Sequence, residues 1–173
     1  NFIHMISDEQ GLHISQRNIT ASTCGIVPNM YRLAEEKLQI TLALSLHGSS
    51  QEKRKRLMPI ANKYSLDEVL DACDVYFGKT GRRITFEYSL VEGLNDTPED
   101  VRELTEILKK RSCHLNLIPV NPIKEREFRK PSRKNALDFE NNLERNGINV
   151  TIRKERGSDI DGACGQLRRR YVS

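Results

Sequence analysis

Short runs rich in apolar and β-branched residues alternate along this chain with stretches whose apolar residues recur every three or four positions, the pattern of βα units. The runs are residues 19–23, 39–45, 83–91, 114–120 and 148–154. The second is almost wholly apolar, as expected of a strand covered on both faces. In the third, Ile84, Phe86, Tyr88 and Leu90 alternate with Thr85, Glu87 and Ser89, which places Glu87 on the opposite face.

Local chemistry marks the helices between them. The chain opens at Asn1 inside a helical pattern. A helix from about Pro28 carries Met30, Leu33, Ala34 and Leu38 on one side. After a short basic turn, Ser65 and Glu68 form a capping box ahead of Val69, Leu70, Cys73, Tyr76 and Phe77. Thr97-Pro98-Glu99 reads as N-cap, first-turn proline and acidic first turn of a helix ending near residue 111. A further helix over 132–145 stops at Asn146-Gly147.

Strands joined by helical crossovers predict an α/β fold with a parallel sheet that curls, because such crossovers are right-handed. The 173 residues suffice for one domain spanning 1–173. Functional groups in such folds gather at the carboxyl ends of the strands. Those ends carry Ser22, then Ser45 to His47, and then Asn121.

Composition narrows the class. Charged residues make up 30% and aromatic residues 6%, with no Trp. No window approaches the roughly 18 apolar residues of a membrane span, and no signal peptide is evident, so a cytoplasmic location is expected. Net charge is +4, yet basic residues cluster at 53–56, 109–111, 129–134, 153–156 and 168–170, a distribution that suits a polyanion such as RNA. The four cysteines, Cys24, Cys73, Cys113 and Cys164, include no CxxC pair, which argues against a local zinc site.

Five segments in register are specific. They are Ser22-Thr23-Cys24-Gly25-Ile26-Val27-Pro28; Leu44-Ser45-Leu46-His47; Phe86-Glu87-Tyr88; Asn116-Leu117-Ile118-Pro119-Val120-Asn121-Pro122; and the stretch from Asp159 to Leu167 that contains Gly162-Ala163-Cys164-Gly165-Gln166. Together they resemble the RlmN/Cfr family of radical S-adenosylmethionine (SAM) RNA methyltransferases over essentially the whole chain, and most closely its dual-specificity branch. The resemblance implies the C-terminal half of a partial, TIM-like (β/α) radical SAM barrel, with a C-terminal strand and cysteine loop. It implies methylation of adenine C2 in 23S ribosomal RNA and in transfer RNA, with a C8-specific relative as the alternative. SAM would be bound by Ser22, Ser45, Leu46, His47 and Asn121. Cys164 would be catalytic, taking a methyl group as a thiolate and relaying it to the base from a glycine-flanked loop.

The family's CxxxCxxC loop, which holds a 4Fe–4S cluster, has no counterpart in the chain, so no metal ligand is assigned and the segment alone is expected to be inactive. Two rival readings are an α/β RNA-binding module without catalysis, and a thiol enzyme with Cys164 as nucleophile and His47 as base. The 19–23 strand, as an unpaired sheet edge, is expected to promote dimerisation or aggregation.

Overall fold

The computed structural model describes residues 2–120 and 128–153. Five parallel strands, β1 (Thr20–Thr23), β2 (Thr41–Ser45), β3 (Ile84–Leu90), β4 (Cys113–Pro119) and β5 (Val150–Ile152), pair in sequence order. Consecutive order with right-handed crossovers puts every connecting helix on one side of the sheet, as in a section of a (β/α) barrel. Each strand expected from the sequence is present.

The helices are α1 (Phe2–Ser7), α2 (Val27–Glu35), α3 (Gln51–Leu57), α4 (Leu66–Thr80), α5 (Pro98–Leu108) and α6 (Arg133–Arg145). The expected capping box of Ser65 with Glu68 opens α4, and Thr97, expected as an N-cap, forms a second box with Asp100 at the start of α5. Gly81, at φ +66°, ends α4 in the left-handed conformation that glycine adopts without strain. The short basic turn expected after His47 is instead the seven-residue helix α3, capped by Ser50, whose side chain accepts from the Lys53 N–H.

The core lies between the helices and one face of the sheet. Leu42, Leu44, Phe86, Tyr88, Leu115 and Leu117 point into it against Met30, Val69, Cys73, Leu104, Phe139 and Leu143. The opposite face is polar. Register aligns Ser22, Ala43, Thr85 and His114 in one row and Ser45, Glu87, Asn116 and Thr151 in the next. The centre of β2 is covered on both faces, Leu42 and Leu44 on the core side and Ala43 on the other, whereas Thr41 and Ser45 at its ends are half-buried.

Among the described residues no helix is long and apolar enough to cross a membrane.

Candidate functional site

The carboxyl ends of β1, β2 and β3 meet in a small set of groups fixed by hydrogen bonds that cross between strands. Ser22 is exposed and Ser45 half-buried, one same-face row apart on neighbouring strands. Strand rise and spacing put such positions roughly 8 Å apart, a span that suits a nucleoside. Among the described residues neither hydroxyl has a hydrogen-bond partner, so both remain available to a ligand.

His47 follows directly at φ +57°, a left-handed conformation uncommon outside glycine and asparagine. Three bonds hold it there. Its N–H donates to the Glu87 carbonyl at 3.2 Å, its carbonyl accepts from Asn95 Nδ2 at 2.8 Å, and its ring Nδ1 accepts the Ser89 N–H at 3.0 Å. Because Nδ1 accepts, the ring proton sits on Nε2, which becomes a donor. Burial, reinforced by the Arg54 guanidinium, pushes the His47 pKa down to about 4. The ring therefore stays neutral near pH 7, a poor base but a constant donor.

Leu46 is wholly buried, and its N–H is taken by the Glu87 carbonyl at 2.9 Å. Its carbonyl accepts the Gly48 N–H at 2.8 Å. Asn121 and Cys164, the remaining candidates from the sequence, lie outside the described residues.

Two residues that sequence reasoning passed over organise the rim. Asn95 is fully buried, and each of its side-chain hydrogen-bonding atoms is used: Nδ2 donates to the His47 and Ser89 carbonyls (2.8 and 2.7 Å), and Oδ1 accepts the Val91 N–H at 2.8 Å. It ties the end of β2 to the end of β3. Arg54, taken from the sequence as part of a solvated basic cluster, is also fully buried. Its guanidinium donates to the Cys24 carbonyl at 3.0 Å and the Tyr64 carbonyl at 3.4 Å, closing the end of β1. Gly25, at φ +95°, leaves room for it: a Cβ there would lie 2.9 Å from Arg54 Nη2. A Cβ on Gly48 would lie 2.5 Å from the Arg54 backbone nitrogen, so this glycine is where β2 and α3 touch.

Behind the rim, Ser49, Lys53, Asp100 and Glu103 form a polar cluster. Lys53 Nζ contacts Asp100 at 2.7 Å, and the Ser49 hydroxyl lies against both carboxylates. Burial alone would raise the Asp100 pKa, but bonds from Lys53, Ser49 and Thr97 outweigh it and hold the carboxyl below its ordinary value. Lys53 is thus committed to structure. On the polar face, Asn116 Nδ2 donates to Glu87 Oε2 at 3.0 Å.

The described thiols do not form a site. Cys73 is fully buried and burial pushes its pKa up to about 12, while burial pushes that of Cys113 up to about 11. Cys24 is exposed at the end of β1. Among the described residues no cluster of three potential metal ligands exists.

No protein-family profile matches the chain. Curated relatives match along nearly all of it. A protein of Lachnospira eligens named "Probable dual-specificity RNA methyltransferase RlmN" is 60% identical over 171 residues, 99% of this chain and 49% of that protein. A Clostridium perfringens protein of the same name is 57% identical with the same coverage. The solved structure of a radical SAM methyltransferase from Sphaerobacter thermophilus superposes with a TM-score of 0.89 at 43% identity, over 95% of this chain and 48% of that one. A domain of pyruvate-formate lyase-activating enzyme from Bacteroides vulgatus shares the fold alone, at a TM-score of 0.56 and 13% identity. The chain spans about half the length of the curated relatives it matches, and along nearly all of its own length it is similar to proteins named dual-specificity RNA methyltransferase RlmN, with a barrel section that matches a solved radical SAM methyltransferase.

Proposed function

We propose that this segment supplies the cofactor rim and the methyl relay of an enzyme that methylates adenine C2 in 23S ribosomal RNA and in transfer RNA. The observation that carries the reading is the set of hydrogen-bonding groups at adjacent strand ends that have no partner among the described residues: the Ser22 and Ser45 hydroxyls and His47 Nε2–H. The RNA substrate class comes from the relatives' names.

These groups fit SAM, whose ribose hydroxyls, ring nitrogens and carboxylate pair with hydroxyl and N–H donors. SAM supplies the methyl group when bound. Ser22 and Ser45 orient the nucleoside and His47 donates from Nε2, while Leu46, buried with its N–H and carbonyl both bonded, holds the turn that presents His47. Asn121, outside the described residues, is assigned to SAM by the family resemblance alone. The Cys164 sulfur, as a thiolate, accepts the methyl group and carries it toward the base. A 4Fe–4S cluster does not fit the described thiols, since Cys73 is enclosed in the core and no three potential ligands cluster among the described residues.

Against a thiol enzyme with His47 as base stands the ring itself, whose Nδ1 is occupied and whose pKa is about 4. The test is kinetic, in a protein of the relatives' full length carrying this segment. Ser45→Ala and His47→Gln should each raise the KM for SAM about tenfold or more, with melting temperature nearly unchanged. An unaltered KM in both would refute the rim.

A further inference from the structure

The described basic residues fall at both ends of the sheet, and at each end some are tied to neighbours and some are not. At the amino ends of the strands several cations are tied to neighbours: Arg111 grips Asp74 through two bonds of 2.9 and 2.8 Å, Lys79 pairs with Glu35, and Arg82 donates to Thr41. At the carboxyl ends the side chains of Arg129, Arg133, Lys134 and Arg153 are exposed, and among the described residues none of the four has an ion-pair partner.

Their positions are fixed by the fold. The Arg129 carbonyl accepts the Glu92 N–H at 2.9 Å just past β3, and the Arg153 N–H donates to the Leu117 carbonyl directly after β5. Arg133 and Lys134 open α6. The nearby Glu140 carboxylate is already engaged by the Ile152 N–H at 2.9 Å. Cations in a first helical turn oppose the helix dipole. Helices α4 and α5 place Asp67, Glu68, Glu99 and Asp100 there instead, whereas the first turn of α6 has no acid. Helix stability therefore does not explain Arg133 and Lys134.

We propose that Arg129, Arg133, Lys134 and Arg153 form the surface that contacts the RNA phosphates, at the same carboxyl end of the strands as Ser22, Ser45 and His47. This rests on the proposed RNA methyltransferase reading and names the part of the fold that meets the substrate. Lys109 and Lys110 lie at the other end of a strand of seven residues, about 20 Å away at the usual rise, and take no part.

The experiment measures binding of the 173-residue chain to a fluorescent RNA stem-loop with an unpaired adenine, by anisotropy across a salt series. The R133E/K134E variant should bind about tenfold or more weakly, with a shallower dependence of log affinity on log salt, about one to two lower in slope. The K109E/K110E variant carries the same charge change and should stay within about twofold of wild type. Circular dichroism should show both variants folded. Equal weakening by the two variants overturns the assignment and leaves RNA binding intact, as does unchanged binding by R133E/K134E. No affinity in the wild type overturns this surface, while the SAM rim is judged separately by the KM test.

Discussion

The Ser89 N–H donates to His47 Nδ1 at 3.0 Å, so a backbone amide of one strand sets the tautomer of a side chain on the next. The ring cannot take a second proton without breaking that bond.

Protonation should therefore carry a stability cost. The unfolded chain binds a proton at His47 near pH 6.5, whereas the folded chain resists until about 4. Below 6.5 the unfolded state takes up more protons, so stability should fall as pH drops through that window, by at most about 3 kcal/mol. Nitrogen-15 NMR should report a neutral ring with the proton on Nε2 at pH 7 and no titration above about 5. A ring titrating near 6.5 would contradict this.

Asn95 is expected to be the most sensitive polar position of the rim. Asn95→Ala leaves the Val91 N–H and the His47 and Ser89 carbonyls without their partner, a loss of about 3–5 kcal/mol. Denaturant titration measures it. A loss under about 1 kcal/mol would mean that these groups find other partners.

The two glycines around Arg54 should differ in a defined way. Gly25→Ala forces a strained φ and presses on the mobile end of a side chain, so a loss of about 1–3 kcal/mol is expected. Gly48→Ala drives a Cβ into the α3 backbone, which cannot swing aside, and should cost about 3 kcal/mol or more. Thermal melts of the two variants give the ranking, and the reverse order would contradict the packing.

Most of the fold was legible because its signals are local. Ser65 and Thr97 announce helix starts through bonds made three residues away, and the alternation at 84–90 announces β3. The rim was legible only in part. Ser22, Ser45 and His47 could be placed at strand ends, but the reason Arg54 is buried lies 30 residues away at the Cys24 carbonyl. Nothing in Gln51-Glu52-Lys53-Arg54-Lys55-Arg56-Leu57 distinguishes it from a solvated charge. Asn95 likewise read as a turn residue, because its partners His47 and Ser89 come together only when β2 and β3 pair.

The thiols should separate by reactivity. Cys24 is exposed, whereas Cys73 is enclosed with its pKa pushed up to about 12. At pH 8 iodoacetamide should label Cys24 in the folded chain and Cys73 only after unfolding. Equal labelling of both would contradict the core.

The most direct measurement is peptide mass spectrometry of a full-length protein carrying this segment, produced with SAM and with its RNA substrate withheld. The account predicts a single added methyl group on Cys164 and none on Cys24, Cys73 or Cys113. An unmodified Cys164 in a preparation that still methylates adenine C2 would contradict it.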